Sequence, residues 1–510
     1  MPTTNKLLRQ EWTKFRRPGR LIAMAAAALI ILALGLLYAA GNHASCDGSC
    51  PTDPAGPDGF PVSDQFYFLH RDLGENGSIT VRMTSMTGTI TYPPPDHDQI
   101  VSGLAPWAKA GIIIKDGVRQ GSSYAALMLT GSHGVRMQYD YRHDIAGHAG
   151  GVSAKSPRWL RLTRSGDSIT GYESADGKQW AKVGTAKLSG LATTVQVGLF
   201  ATSPGDLTLR PTGLGGATEE TRFTQAGGVF DHVSLKGTAP ARGWSSEAIG
   251  EMNHTDWEKY HKASEAVVET NGTITVTGTG DIGPTGTEGS RPMERTLTGL
   301  TLALLIVLVV AVRFATAEYR PKPTGGAPVT RQVLAAKATV VGAVTFLTGL
   351  LTVGTVIPVG PAILKANGMP VIEVSTLTGV RVVVGIAAVL ALAAVLALTL
   401  GAMLRRAWLA ILVAVSAIAV PYAVTAVPVL PDGLSQWLLR VTPAAGFAAQ
   451  QTLTEYPQVA AHYAPSAGYF PLPWWAGIAV LCAYTVIALG LALSRLPRGD
   501  ERADQPVDWR

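Results

Sequence analysis

Nowhere in its 510 residues does the chain carry G-x-x-x-x-G-K-[ST], the loop whose backbone amides cradle nucleotide phosphates. It is therefore not itself an ATPase. Its ten histidines are scattered without metal-ligand spacing, and His143-Asp144 has no nucleophile or second carboxylate arranged beside it. We read the chain as a non-enzyme with no catalytic residue, no metal site and no cofactor. The net charge of +6 comes without the basic groove and interleaved aromatics of a nucleic-acid binder, so no nucleic-acid partner is expected.

What is present is apolar length. Six stretches, 21–41, 296–312, 338–359, 382–404, 407–430 and 474–494, are uncharged or nearly so, and about 20 helical residues cross a hydrocarbon core of about 30 Å. Their interiors hold no Asp, Glu or His, while Arg313, Lys337, Arg381, Arg405 and Arg406 fall at predicted ends. Ion-coupled carriers place an ionisable group near the midplane, so that mechanism is disfavoured.

Orientation follows from basic flanks, which are retained in the cytoplasm. Lys6, Arg9, Lys14, Arg16, Arg17 and Arg20 put the amino-terminal segment inside, and successive crossings put Arg313, Arg320, Arg331, Arg405, Arg406 and Arg495 inside as well. The expectation is a multi-pass cell-membrane protein with both termini cytoplasmic. Its parts are an amphipathic cytoplasmic lead-in (1–20), a first helix (21–41), an extracellular domain (42–295), five further helices (296–494) and a cytoplasmic tail (495–510). A rival reading takes 21–41 as a signal peptide cleaved near Ala39-Ala40-Gly41, although the apolar run exceeds the usual signal core. On either reading the polar segment from residue 42 onward is exported.

Smaller features refine the helical part. Trp408, Trp474 and Trp475 suit interfacial belts, and Pro421, inside the fifth stretch, must free a backbone carbonyl and kink the helix. Residues 431–473 hold apolar runs too short to cross; they fit re-entrant or interfacial helices, or a plain loop.

Between the first two helices the period changes to two. GSITVRMTSMTGTITY, WAKAGIIIKDG, YAALMLTG, VRMQYDYRHD and TTVQVGLFATS alternate apolar with polar residues and break at glycine, as strands of a two-sheet sandwich do. The order W-A-K-A-G, W-L-R-L-T-R-S-G, G-Y-E-S-A-D-G-K-Q-W, V-G-L-F-A-T-S over 64–236 resembles concanavalin-A-like jelly-roll domains. GWSSEAIG and NGTITVTGTGDIGP, which that class carries ahead of the other strands, come after them here. A circularly permuted sandwich accounts for this; a linker with a stray strand is the alternative. Trp107, Tyr139, Tyr141, His143, Trp159 and Trp180 are candidates for a sugar-binding face, or else core residues. Cys46 and Cys50, just outside the first helix, are expected to form a small disulfide loop, with free thiols or a loose metal site as alternatives. Sequons stand at Asn76, Asn253 and Asn271.

The cytoplasmic segments carry a second resemblance. LLRQEWTKFRRPGR, ATAEYRPKPTGGAPVTRQVLAAKATVVGAVTF and LLRVTPAAGFAAQQ occur in the order and topological places seen in actinobacterial ABC-2-type transporter permeases, which they resemble over about half of the chain. The resemblance implies a permease subunit of an ATP-driven transporter, an exporter, paired with a second permease subunit in a homo- or heterodimer and powered by a separate ABC ATPase subunit. It also implies that the turn with Glu318, Tyr319 and Arg320, with Arg331 and Lys337 beyond, faces that ATPase. A bland reading is that Arg320 and Arg331 only set topology. The rival class of function is a membrane-anchored glycan-binding or sensory module without transport activity, whose outer domain meets a glycan or an extracellular protein.

Overall fold

The computed structural model describes residues 4–44, 53–91, 99–211, 217–237, 243–250, 266–285, 292–319, 329–369, 371–372, 374–427 and 430–497. Cys46, Cys50, Asn253 and Arg320 lie outside these, so the expected disulfide and the arginine of the E-Y-R turn receive no structural account.

Among the described residues six helices are long and apolar enough to cross a membrane. A short amphipathic helix, α1 (Thr4–Phe15), precedes them and buries Glu11 and Phe15 while leaving Trp12 exposed. The long helices come next: α2 (Pro18–Gly41), α3 (Leu300–Thr316), α4 (Arg331–Ala366), α5 (Thr376–Leu404), a fifth unit made of α6 (Ala407–Ala414) and α7 (Val420–Ala426), and after α8 (Asp432–Val441) the last, α9 (Trp474–Ser494). Pro18 starts α2 where a missing N–H costs nothing. Ser375 caps α5 by accepting from the Thr378 amide at 3.2 Å, which starts that helix six residues before its continuous apolar run. Arg405, at φ 57°, turns the chain straight from α5 into α6.

Small residues let these helices approach. A Cβ on Gly349 of α4 would sit 2.8 Å from the Ala387 Cα of α5, and one on Gly35 of α2 would sit 2.9 Å from Val356 of α4. In the fifth unit a π turn, Val415–Ala419, stands between α6 and α7, immediately before Pro421. The wider turn absorbs the hydrogen bond that proline cannot donate. In 431–473 the structure has α8 and a 3-10 stretch, Pro443–Gln450, whose eight residues are all buried, in contact with α9 and α5.

All the described strands fall, in chain order, between α2 and α3. They form two antiparallel sheets, one of seven strands and one of nine, and a two-stranded ribbon in which Val62–Asp64 pairs with Ile282–Pro284. The ribbon sets the first and last strands side by side, so the chain enters and leaves the sandwich at one place. Ile79, Val81, Leu160 and Leu162 of the larger sheet pack on Ile112, Ile114, Leu127 and Val197 of the smaller. The late segments belong to this body. Ser245–Ile249 pairs with Phe66–Leu73 at the edge of the small sheet, and Thr273–Gly278 lies between two strands of the large one. The linker reading is thereby overturned for the described residues 243–250 and 266–284, whose strands extend both sheets.

The small sheet is filled on its second face as well. Phe66, Phe68, Tyr124, Tyr141 and Phe200 form a separate buried cluster there, beneath Val62 and Ile282 of the ribbon. Two lysines, Lys109 and Lys115, are also completely buried on this sheet and are paired with Asp281 at 2.6 Å and Asp64 at 2.7 Å. A sandwich with this much internal closure should fold by itself. We expect residues 53–285, secreted alone, to give β-type circular dichroism and one cooperative melt; an aggregated or disordered product would overturn the autonomy. That melt should weaken in acid. The Arg82 guanidinium holds the Asp231 carboxyl below its ordinary range, so this contribution is present above the unfolded carboxylate value and is lost as pH falls through the lowered one.

Candidate functional site

Four charged side chains from three distant segments meet at the Arg331 end of α4. Glu11 and Lys14 come from α1, Glu318 from a 3-10 turn that ends α3, and Lys337 from the second turn of α4. The Lys337 ammonium lies 2.9 Å from Glu11 and 3.3 Å from Glu318, and the Lys14 ammonium 2.6 Å from Glu11 and 3.0 Å from Glu318. Among the described residues two positive and two negative groups alternate, and the charges of these four cancel. Glu11 and Lys337 are each 2 % exposed, Lys14 is 44 % exposed, and the pairing therefore runs from the interior to the surface.

Aromatic contacts lock the same place. Lys337 stands 3.8 Å from the centre of the Phe314 ring and donates to the Phe314 carbonyl at 3.4 Å. Phe15 of α1 meets Phe314 edge-on at 5.3 Å, and Arg20 of α2 covers that ring at 4.7 Å while donating to the Lys14 carbonyl at 2.7 Å. Helix α1 is thus clamped across the ends of α2, α3 and α4. Burial pulls the Lys14 pKa down, but hydrogen bonds to Glu11 and Glu318 outweigh it and leave the pKa raised. Its part of the clamp holds below the ordinary lysine value and is lost only as pH rises through the raised one.

The residues singled out from sequence divide between this cluster and elsewhere. Glu318 and Lys337 are members, and Lys337 is buried one helical turn and more inside α4 instead of standing at a helix end. Burial there is tolerable because both of its carboxylate partners are within reach. Tyr319 lies beside them, with Arg405 over its ring at 5.4 Å. Arg331, the first residue of α4, turns away and donates from Nε to the Leu496 carbonyl at 2.9 Å, tying α4 to the end of α9. Pro421 belongs to the fifth unit and is no part of the cluster. Glu11 and Lys14 escape a reading of the sequence for site residues, although E-W-T-K contains both; their partners are about 300 residues away, beyond any local pattern.

The sandwich aromatics do not converge. Trp107 is buried under His133 at 3.9 Å, Tyr141 is buried against Asp64 and Lys115, and Tyr139 stacks on His143 at 4.3 Å. Trp159 lines a shallow trough on the large sheet with Arg161 and His232, and Arg161 covers Trp180 at 3.8 Å. The sandwich meets the helices at the other end of the bundle. A cavity of about 230 Å³ there is lined by Phe60, Arg142 and Thr285 on one side and by Ser375, Thr378 and Tyr456 on the other. Gln458 donates to the Arg142 carbonyl across it at 3.3 Å. Among the described residues no group of three or more His, Cys, Asp or Glu is placed to hold a metal ion.

No family model matches this chain, and no curated protein does. Solved structures resemble parts of it. A functionally unknown protein from Saccharomyces cerevisiae is 18% identical, with 38% of this chain and 85% of that one covered, at a TM-score of 0.22. SCP-B, a member of the Eqolisin family of peptidases, is 9% identical over 42% of this chain and 98% of its own, at 0.24. Scytalido-glutamic peptidase is 10% identical over the same shares, 42% and 98%, at 0.26. Scores this low carry no argument about fold or activity.

Proposed function

We propose that the chain is the membrane-spanning permease subunit of an ATP-driven ABC-type exporter, not itself an enzyme, working with a second permease subunit and a separate ATPase subunit. The observation that carries this reading is the meeting of its signature segments. Glu11 and Lys14 of E-W-T-K, Glu318 of E-Y-R and Lys337 of A-A-K form one ion-pair cluster, though they resemble the permease pattern at separate places. Under the same proposal this end of the bundle is cytoplasmic, and the sandwich, of the concanavalin-A-like jelly-roll kind, is extracytoplasmic. The cluster lies at the Arg331 end of α4, the sandwich contacts lie beyond its Ala366 end, and basic residues gather at the former. A clamp that joins α1 to three long helices moves as one body, so a push on it reaches the bundle as rigid displacement.

The test is capture of the ATPase. The triple change Glu318→Ala, Tyr319→Ala, Arg320→Ala should leave the protein in the membrane, because Arg331 and Arg405 keep that end basic. Copurification of a nucleotide-binding subunit and transport-linked ATP hydrolysis should fall together by roughly tenfold or more, as interface energy is concentrated in few residues. Should the wild-type protein capture no such subunit from its host, the anchored-module reading takes over.

A further inference from the structure

A groove of about 710 Å³ runs between α2 and α3 at the end of the bundle where α1 docks. Three arginines, Arg17, Arg20 and Arg313, stand at its mouth, and its walls above them are apolar, formed by Ala23, Ile306 and Val310. Among the described residues no carboxylate lines it. Glu11 and Glu318 of the adjoining cluster are already engaged by Lys14 and Lys337. Arg20 is held in place by the Lys14 carbonyl and the Phe314 ring, whereas the guanidinium groups of Arg17 and Arg313 make no hydrogen bond or ion pair with any described residue.

Three like charges gathered around one mouth repel one another unless an anion sits among them. A soluble anion would satisfy the arginines and leave the apolar walls bare. We propose that this groove binds an anionic phospholipid, its phosphate between Arg17, Arg20 and Arg313 and an acyl chain along Ala23, Ile306 and Val310. Arginine forks match phosphate oxygens, and basic pockets between membrane helices hold lipid headgroups by this chemistry. The depth agrees: Arg17 is the residue before α2 and Arg313 lies in the last turn of α3, so both stand at helix ends, while the apolar walls lie further into the bundle. A second copy of the chain is a poorer occupant, because an isologous contact over this face would bring like arginines together. The inference rests on the helices spanning a bilayer and not on the transport reading.

Native mass spectrometry of the full chain from mixed micelles of phosphatidylglycerol and phosphatidylcholine tests it. The wild type should retain phosphatidylglycerol selectively, and Arg17→Gln with Arg313→Gln should weaken that retention by roughly thirtyfold, at the contribution usual for two arginines near a charged lipid. Arg16→Gln, exposed on the neighbouring turn and outside the groove, should change nothing and controls for nonspecific charge loss. Equal retention of the two lipids by the wild type, or undiminished retention by the double variant, would overturn the proposal. So would displacement of the lipid by millimolar inorganic phosphate, which would mark a soluble-anion site. A photoreactive residue in place of Ile306 should crosslink to lipid; crosslinking to a second copy instead would assign the groove to subunit contact.

Discussion

Lys337→Met is expected to release α1 from the bundle while leaving the protein in the membrane and, under the proposed permease function, to uncouple it from its ATPase. The substitution keeps the length of the side chain and removes its charge, so Glu11, 2 % exposed, and Glu318 lose one of the two lysines that they share. Removing one member of a buried pair costs about 3–5 kcal/mol when the other is left uncompensated, and Lys14, 2.6 Å from Glu11, offsets part of that here. The cation over Phe314 goes too, which weakens the ring that Phe15 packs against. Trypsin should then cut within α1, at Arg9 or Lys14, far faster than in the wild type; under the proposed permease function, ATPase-linked transport should fall with it. Adding Glu11→Gln removes the excess negative charge and should restore much of the protection, so a double-mutant cycle separates charge pairing from packing. Unchanged proteolysis and transport in Lys337→Met would remove the cluster as a coupling element.

In the sandwich the largest effect is expected from Asp64→Ala. One carboxylate oxygen of Asp64 accepts from Lys115 at 2.7 Å, from the Tyr141 hydroxyl at 2.8 Å and from the Gly121 amide at 2.8 Å, and both Asp64 and Lys115 are 0 % exposed. Truncation strands the ammonium in a closed interior. Burial already pulls the Lys115 pKa down, and the Asp64 carboxylate is the chief group opposing that pull. The expected loss is about 3–5 kcal/mol, a fall in melting temperature of roughly 6–20 °C for a domain of this size. Asp64→Leu with Lys115→Met, which replaces the pair by apolar side chains, should recover most of it. If Asp64→Ala melts with the wild type, the pair is not what closes this face.

The stop signals of the helices are less legible than the helices themselves. Residues 296–299 read as span but form the end of a 3-10 turn, Met293–Leu297, and the turn that leads into α3, whereas α4 runs for 36 residues, through Pro358 and Pro361, well past its continuous apolar run. At about 1.5 Å per residue that helix is longer than a hydrocarbon core is thick. Its ends are set by Arg331 bonding to the end of α9 and by Asn367 donating to the Ala39 carbonyl of α2 at 3.1 Å. Pro421 is legible as a disturbance, because a missing N–H is a property of one residue. The π turn that accommodates it is not.

By itself the sequence determined the parts whose signal is local. Twenty apolar residues in a row demand a helix in lipid, and alternation at period two demands half-buried strands, whatever the rest of the chain does. Only the tertiary structure decided what those parts do together. It brought Glu11, Glu318 and Lys337 to one point, turned Arg331 away, paired the late strands into both sheets, and divided the six sandwich residues offered as a sugar face among separate places. The physical reason is the range of each effect. Periodicity and hydropathy are written within a few residues, whereas a buried charge is tolerable only beside its partner, and that partner can lie anywhere in the chain that folding brings near.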